Sequence, residues 1–153
     1  FRDAMARVPA PVTIVTTADE EGNPYGTTVS AFASLSVTPP MVLFALDNRG
    51  AMRDRITLSG RVGVNILAGG QDEIAIRFAK PGLRFDDTDW HMDRGVPRID
   101  GAAAFLHCHE VELLPGGDHT VVLGTVDTAE SAGDVSLSYH LRAFHAVPPA
   151  ALG

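Results

Sequence analysis

The chain has 153 residues, of which 45% are hydrophobic and 20% charged, a composition that indicates a globular protein and excludes a disordered or collagen-like one. The formal net charge is -7 and no local basic patch offsets it, so nucleic acid and anionic membranes are not expected as partners. Cys108 is the only cysteine, which excludes an internal disulfide and a multi-cysteine metal site and suits a cytoplasmic location. No apolar run approaches the roughly 20 residues that span a bilayer.

The first third of the chain predicts a short helix followed by three strands. The helix covers residues 1–8, and prolines end it. β-Branched residues predict a strand over residues 12–18, and residues 41–46 predict a strand with apolar side chains on both faces. Between them, residues 25–37 alternate with a period of two, which predicts one long, half-buried strand. Its two faces carry Val29, Ala31, Ala33 and Leu35 on one side, and Thr28, Ser30, Phe32, Ser34 and Ser36 on the other.

The middle of the chain predicts two short helices with a strand between them. Residues 47–50 form a turn, and residues 51–59 have apolar side chains at i and i+4, which predicts a helix. A strand is predicted over residues 61–67. A second helix is predicted over residues 71–79, with acidic residues in its first turn, where the helix dipole favours them. Residues 80–98 are expected to form a long loop.

Three further strands are predicted over residues 104–114, 119–130 and 135–147. Proline and glycine at residues 115–118 favour a tight turn between the first two. Strands therefore dominate the chain, in an order typical of hairpins. We predict a mostly β fold in which a closed or nearly closed antiparallel barrel removes exposed sheet edges, with a sandwich as the alternative.

Motifs of several common enzyme classes are absent from the sequence. It has no G-x-G-x-x-G after a strand, no P-loop, no G-x-S-x-G and no H-E-x-x-H, which counts against Rossmann dehydrogenases, kinases, α/β-hydrolases and zincin proteases. His107, Cys108, His109 and Glu110 lie on one predicted strand, where the two histidines point away from the other two residues. We therefore expect no metal site there and no nucleophilic role for Cys108.

Three polar features are candidates for a binding site. The hydroxyl-bearing face of residues 28–36 is either a solvated sheet face or a polar wall for a planar heterocycle. Residues 47–50 lead into a helix N-terminus, where backbone N–H groups with Arg49 or Arg53 would bind a phosphate; a plain turn is the alternative. His119 follows a tight turn at a barrel mouth, where it would orient a substrate or stand as a surface histidine.

Several short blocks of residues resemble those of a known family, in a match that runs from the first helix to the last strand. The blocks are Gly26-x-Thr28-x-Ser30-Ala31-Phe32-x-Ser34-x-Ser36-x-x-Pro39-Pro40, Val64-Asn65-Ile66-Leu67, Phe78-Ala79, Gly101-Ala102 followed by Cys108, Gly117-Asp118-His119 with Gly124-x-Val126, and Tyr139-His140 with Phe144. In this order they resemble the flavin reductase-like family of the FMN-binding split barrel, which includes the reductase components of two-component flavin monooxygenases. The resemblance implies a single split-barrel domain over residues 1–153, an antiparallel barrel with short peripheral helices that forms a homodimer.

The resemblance also implies binding roles by position. The isoalloxazine is expected beside Thr28, Ser30 and Ala31, the ribityl and phosphate groups beside residues 47–50, and the flavin tail beside Arg84 and Phe85. His119 is expected to be catalytic, with His119 and Tyr139 beside the nicotinamide. The cofactor-binding residues implied in this way are Thr28, Val29, Ser30, Ala31, Ser34, Asp47, Asn48, Arg49, Gly50, Arg53, Arg84 and Phe85.

The implied activity is hydride transfer from NADH or NADPH to FMN or FAD, with the reduced flavin passed by diffusion to a partner monooxygenase. The nicotinamide C4 and the flavin N5 would then lie about 3–3.5 Å apart with their rings stacked. Two alternatives stay open at this point. One is a flavoprotein that keeps its flavin and reduces another acceptor, and the other is a non-catalytic barrel that binds a flavin or another planar ligand.

Overall fold

Antiparallel strands make up most of the protein, whose structure is a computed structural model that describes residues 1–82 and 84–151. Seven of the strands form one sheet in the order β3-β2-β6-β9-β10-β5-β4, while β1-β11-β12 and β7-β8 form two smaller sheets. In chain order, the elements are α1 (Arg2–Met5), β1 (Ala10–Pro11), β2 (Thr13–Ala18), β3 (Pro24–Val29), β4 (Phe32–Val37), β5 (Pro40–Asp47), α2 (Met52–Ser59), β6 (Arg61–Ile66), α3 (Asp72–Phe78), β7 (Trp90–Asp93), β8 (Val96–Ile99), β9 (Ala104–Gly116), β10 (His119–Ser131), β11 (Ser136–His140) and β12 (Ala143–Val147).

The large sheet is rolled into a split barrel. Its two edge strands, β3 and β4, are joined in the chain by only Ser30 and Ala31. Because three peptide steps span at most about 11 Å, the end of β3 and the start of β4 must lie close together although five strands separate them in the sheet. In the part of the chain that the structure describes, no ladder joins β3 to β4, so the barrel is closed at this corner and open beyond it. The predicted antiparallel barrel is confirmed.

The rolled sheet encloses the main hydrophobic core. Met52 and Ile56 of α2 pack into one end of it, which explains the i,i+4 apolar pair in that helix. A second, smaller core lies on the other face of β2, where α3, β8 and β11 pack. Every residue of β2 is therefore buried. The buried members of the main core are Val15, Val29, Val42, Phe44, Leu46, Met52, Ile56, Val62, Val64, Cys108 and Val122.

The predictions for both central helices and for the β9–β10 hairpin are confirmed. Gly60 ends α2 in a left-handed conformation with φ of 69°, which glycine adopts without strain. Gly117 has φ of 73° in the two-residue turn between β9 and β10. Within residues 1–82 and 84–151, no helix has the length and apolar character needed to cross a membrane.

Three predicted elements were wrong in detail. The predicted strand over residues 25–37 is two strands, because the chain turns at Ser30 and Ala31 and enters the opposite edge of the sheet. The predicted strand over residues 135–147 is the β11–β12 hairpin, whose turn places Leu141 and Arg142 at φ of 51° and 64°. The predicted loop over residues 80–98 contains β7 and most of β8, which pair as a hairpin, while Leu83 lies outside the described residues.

Candidate functional site

Two turns meet at one end of the paired strands β5 and β10. His119, the first residue of β10, is opposite Asp47, the last residue of β5. The turn after Asp47 therefore lies against the turn before His119: the Asn48 backbone N–H donates to the Asp118 carbonyl at 3.0 Å. The Thr120 hydroxyl donates to Asn48 Oδ1 at 2.6 Å. The structure thus brings the predicted phosphate-binding turn and the predicted catalytic histidine into one cluster.

Two arginines flank this cluster, and they differ in their partners. Arg49 Nη2 lies 2.6 Å from Asp47 Oδ2, and its Nε lies 3.1 Å from Oδ1. The hydrogen bond from the Arg49 side chain, with that from its backbone N–H, holds the pKa of Asp47 well below its usual range. Arg53 has only longer contacts, at 3.5 Å, to Asn48 Oδ1 and to Asp54 Oδ1. Arg53 is therefore the freer of the two guanidinium groups at the start of α2.

His119 is held by its neighbour in the chain. Its Nδ1 lies 2.8 Å from Asp118 Oδ1, and this hydrogen bond together with the charge of His119 lowers the pKa of Asp118. Leu46 and Thr120, which form the preceding pair in the ladder, are buried, so Asp47 and His119 point to the outer face of the sheet. Within the described residues, Nε2 of His119 makes no hydrogen bond and is available to a ligand.

The corner between β3 and β4 lies beside the cluster. The Ala45 backbone N–H donates to the Ala31 carbonyl at 3.0 Å, only two residues before Asp47. Ser30 and Ala31 are exposed at this corner, whereas Val29 is 5% exposed and belongs to the barrel core. The backbone and exposed side chains of Ser30 and Ala31 are therefore positioned to contact a ligand held at the cluster.

The hydroxyl-bearing residues predicted to share one face do not form a continuous row. The Thr28 hydroxyl donates to the Ala75 carbonyl of α3 at 2.6 Å, on β3, while Ser34 is exposed on β4 opposite Val42. Phe32, predicted on the same face, packs against the barrel core instead. The turn at the β3–β4 corner is the reason, since it separates residues that a single strand would have aligned.

Arg84 and Phe85 lie on the far side of β3 from the barrel core. The Phe85 ring meets Phe78 and Trp90 edge to face, with centroids 4.9 and 5.2 Å apart. Arg84 Nη1 donates to the Phe78 carbonyl at 2.8 Å, and burial lowers the pKa of its guanidinium. A Cβ at Gly26 would lie 3.0–3.1 Å from the Phe78 and Phe85 rings, so β3 approaches these rings as closely as glycine permits.

Tyr139 lies in the small sheet, opposite Ala10 of β1, with its ring 5.0 Å from that of Phe144. Among the described residues it makes no hydrogen bond or ring contact with His119. The structure of one chain therefore does not bring the two residues predicted beside the nicotinamide together.

His107, Cys108 and His109 follow the alternation expected of a strand, whereas Glu110 does not share the side of Cys108: it is exposed, with φ of 51°, beside a register shift between β9 and β10. His107 Nδ1 lies 2.7 Å from Asp127 Oδ1, and His109 Nδ1 lies 3.6 Å from Asp127 Oδ2, so both histidines face the same carboxylate. Cys108 points the other way, into the barrel core, where burial raises the pKa of its thiol to about 12. A thiol that stays protonated in this way is a poor nucleophile.

An open depression of about 880 Å³ lies at the end of β2 and β3 farthest from the cluster. β2 ends there at Ala18, which pairs with Pro24, whereas Val29 pairs with Thr13 at the other end. None of the predicted site residues lines it. Its lining residues are Ala18, Asp19, Glu20, Glu21, Gly22, Tyr25, Arg55, Leu58, Ser59, Arg61, Met92 and Gly95.

The fold and the cluster define the protein as a split-barrel protein with a polar site formed by two turns at one end of β5 and β10. Residues 5–148 match the family model described as the flavin reductase like domain. The chain belongs to this family.

Relatives and solved structures agree with this assignment. An NADH-dependent flavin reductase of Rhodococcus sp is 39% identical over 129 residues, which cover 83% of this chain and 73% of that protein. The reductase component of a 4-nitrophenol 4-monooxygenase/4-nitrocatechol 2-monooxygenase of Rhodococcus opacus is 38% identical over 150 residues, covering 97% of this chain and 80% of that protein. The structure of the Streptomyces globisporus NADH:FAD oxidoreductase SgcE6 in complex with NAD and FAD fragments matches with a TM-score of 0.91 and 34% identity, over 98% of this chain and 92% of that chain.

Proposed function

We propose that this chain is an NAD(P)H:flavin oxidoreductase that reduces FMN or FAD with NADH or NADPH. The observation that carries the proposal is the meeting of residues 47–53 with His119, in a chain of the flavin reductase-like family. Two of the relatives described above are named for the NADH-dependent reduction of a flavin or of FAD.

The residues of the cluster fit a phosphorylated flavin and a nicotinamide. Arg49 and Arg53 stand at the start of α2, where guanidinium groups and backbone N–H groups favour an anion. The exposed corner at Ser30 and Ala31 would hold one edge of the ring system. His119, fixed by Asp118, would orient the nicotinamide through Nε2. When bound, the flavin supplies the ring that accepts the hydride. The contacts expected of Thr28, Val29, Ser34, Arg84, Phe85 and Tyr139 stay predictions.

We further propose that the reduced flavin serves a partner monooxygenase. The Rhodococcus opacus relative is named as the reductase component of such an enzyme. Ser30, Ala31 and Arg49 are exposed, so a flavin at the cluster would keep contact with solvent, as release by diffusion requires. We propose the cytoplasm as the location, since Cys108 is an unpaired thiol.

We also propose that two copies of the chain form a homodimer through the outer face of β4, β5, β10 and β9. Apolar side chains dominate the outward-pointing residues of these strands and form a surface here called the outer apolar patch, with Glu112 and Thr125 at its margin. An apolar surface of this kind on a sheet face indicates an interaction site. The patch ends at Asp47 and His119, which continue the same outward row of β5 and β10. A second copy on the patch would border the cluster. The patch consists of Ala33, Met41, Leu43, Ala45, Leu114, Val121 and Leu123.

The test is NADH oxidation by the purified chain with and without free flavin. We expect little oxidation until FMN or FAD is added, followed by turnover that saturates with flavin. Turnover without added flavin would instead show a flavoprotein that keeps its flavin. No turnover under either condition, with flavin binding intact, would show a non-catalytic barrel, and either result would contradict the proposal.

A further inference from the structure

Thr120 is a buried hydroxyl residue to which neither the sequence motifs nor the relatives assign a role. It is the second residue of β10, is 7% exposed, and pairs with buried Leu46 on the inner face of the sheet. Val122, two residues further on, occupies the same inner row. A hydroxyl in such a row costs free energy unless it is hydrogen-bonded. Its partner is not in the core: the hydroxyl donates to Asn48 Oδ1 in the neighbouring turn, at 2.6 Å.

Asn48 connects the two turns of the site through several groups at once. Its backbone N–H donates to the Asp118 carbonyl at 3.0 Å, and its Nδ2 donates to the Gly117 carbonyl at 3.4 Å. Its Oδ1 accepts the Thr120 hydroxyl and lies 3.5 Å from Arg53 Nη1. We call this set of bonds, made by Asn48 with Gly117, Asp118 and Thr120, the Asn48 clasp. The side-chain oxygen of Asn48 is thereby engaged within the protein.

We propose that Thr120 is a positioning residue that, through the Asn48 clasp, sets the spacing between the arginines of the 47–53 segment and His119. This inference rests on the proposed function, since it takes those arginines as the phosphate site and His119 as the nicotinamide site. Thr120 is adjacent to His119 in β10, and Asn48 is adjacent to Asp47 and Arg49. A bond between Thr120 and Asn48 therefore fixes two backbones that carry the two halves of the site.

The proposal follows from the demands of hydride transfer. Two ring systems bound by different turns react only when they are held in a near-attack geometry, and small misplacements lower the rate. A turn that must be ordered when its ligand binds also lowers the affinity for that ligand. Without the clasp, the residues within each turn would stay in place, but the distance and orientation between the two turns would no longer be fixed. The expected signature is therefore a joint weakening of flavin and NADH binding, which loss of a single ligand contact would not produce.

The first test compares Thr120→Val with Thr120→Ser and with Thr125→Val. Valine has the shape of threonine without the hydroxyl, serine keeps the hydroxyl, and Thr125 lies on the same strand away from the turn, opposite Met41. We expect T120V to raise both the Kd for FMN, measured by fluorescence titration, and the KM for NADH roughly three- to tenfold, as loss of one hydrogen bond allows. T120S and T125V are expected to stay near wild type. A T120V variant that matches T125V in both constants would overturn the proposal.

A double-mutant cycle with Asn48→Ala separates positioning from direct contact. If Asn48 acts through Thr120, N48A and T120V each weaken FMN binding, and the double variant is no weaker than the single ones. Additive losses would show that Asn48 binds the flavin directly and would overturn the clasp. Asn48 is exposed, so N48A is expected to fold even if T120V does not. In that case N48A alone tests the clasp: it is expected to weaken both FMN binding and NADH binding, and weaker binding of FMN alone would overturn the proposal.

Failure of the clasp and failure of the proposed function give different results. Hydrogen exchange at the Asn48 backbone N–H, measured without flavin, is expected to speed up at least severalfold in T120V, because the bond to Asp118 loosens. Unchanged exchange contradicts the clasp whatever the activity. A wild-type chain that lacks flavin-dependent NADH oxidation, with exchange accelerated in T120V, contradicts the proposed function alone.

Discussion

The imidazole of His119 is fixed at one nitrogen and open at the other. Asp118 holds Nδ1 at 2.8 Å, and the ring lies on the outer face of the sheet beside Asp47. His91 offers a natural comparison, because its Nδ1 lies 2.6 Å from Asp100 on a different part of the surface. The two histidines have similar partners and differ in what surrounds them, so they form a matched pair for substitution.

Replacing His119 by Ala is expected to raise the KM for NADH about tenfold, because one charge-assisted or polar contact to the nicotinamide is lost. The KM for flavin is expected to change less than about twofold, since the phosphate and ring contacts stay in place. Steady-state kinetics with each substrate varied in turn measures both constants. H91A serves as the control, and a KM for NADH that is equal in H119A and H91A would refute the role of His119.

Arg49 and Arg53 are expected to contribute unequally to phosphate binding. Arg49 must leave Asp47 before it binds another anion, whereas Arg53 has only contacts of 3.5 Å to give up. We expect Arg53→Ala to weaken FMN binding by about 1.5–3 kcal/mol and Arg49→Ala to weaken it less. Fluorescence titration measures the Kd of each variant for FMN and for riboflavin, which lacks the phosphate. Equal losses for FMN and riboflavin would show that neither arginine binds the phosphate.

The buried thiol of Cys108 predicts a pH-dependent contribution to stability. Burial raises its pKa to about 12, while the thiol of an unfolded chain ionises near about 8.5. Above the lower value the unfolded state binds fewer protons than the folded state, so the free energy of unfolding falls as pH rises. Relative to Cys108→Ala, the wild type is expected to lose about 2 kcal/mol between about pH 8 and about pH 10. Urea unfolding at the two pH values tests this, and a constant difference between the proteins would contradict it.

At the scale of elements, buried polar side chains attach the β7–β8 hairpin to the barrel. Asn65 Oδ1 accepts the Ile99 backbone N–H at 2.8 Å, and Asn65 Nδ2 donates to the Ile14 carbonyl at 3.1 Å. The Thr16 hydroxyl donates to the Pro97 carbonyl at 2.6 Å. Asn65 and Thr16 are both fully buried, so these bonds have no water to replace them. The hairpin thus depends on β2 and β6 for its position.

Replacing Asn65 by Ala is expected to lower the free energy of unfolding by about 2–4 kcal/mol, because a buried N–H and a buried carbonyl lose their partner. The same substitution at exposed Asn23, in the turn after β2, is expected to cost less than about 1 kcal/mol because water replaces its bonds. Urea unfolding of both variants provides the measurement. Equal losses at the two positions would mean that Asn65 does not hold the hairpin.

At the scale of the whole molecule, the outer apolar patch predicts self-association. Leu43 lies in the middle of the patch, between Ala33 on β4 and Leu123 on β10. We expect Leu43→Glu to convert a dimer into a monomer, because a carboxylate buried in an apolar interface is desolvated without a partner. Leu58→Glu, at a side chain 84% exposed on α2, is expected to leave the dimer intact. Size-exclusion chromatography with light scattering measures the molecular mass of each protein in solution. A monomeric wild type would contradict the proposed dimer.

Local patterns were enough to predict most strands and both central helices. Along β5 and β10 buried residues alternate with half-buried ones, but apolar side chains occupy both faces, so the apolar and β-branched composition predicts the strands without showing which face is buried. Gly60 and the Gly117 turn have the backbone conformations that their residue type predicts. These elements are determined by residues that are close together in the chain, so the sequence alone is enough to predict them.

Features that depend on distant residues could not be predicted in the same way. Ser30 and Ala31 continue the alternation of a strand, and the turn they make depends on pairing with β5. The turn at Leu141 and Arg142 lacks the glycine that usually marks such a position. The bond between Thr120 and Asn48 joins residues 72 positions apart, and a threonine in a β-branched strand gives no sign of it. The sequence predicts the two turns of the cluster separately. It does not predict that they meet, because only the pairing of β5 with β10 brings them together.

The two-residue connection between the edge strands has a mechanical consequence. Ser30 and Ala31 alone connect opposite margins of the rolled sheet, in a tight turn where the Phe32 backbone N–H donates to the Ser30 carbonyl at 2.9 Å. Lengthening it by a few flexible residues would cost little loop entropy and would leave the interior packing untouched, yet it would let the two margins drift apart. The barrel therefore depends on the length of this segment more than on its side chains.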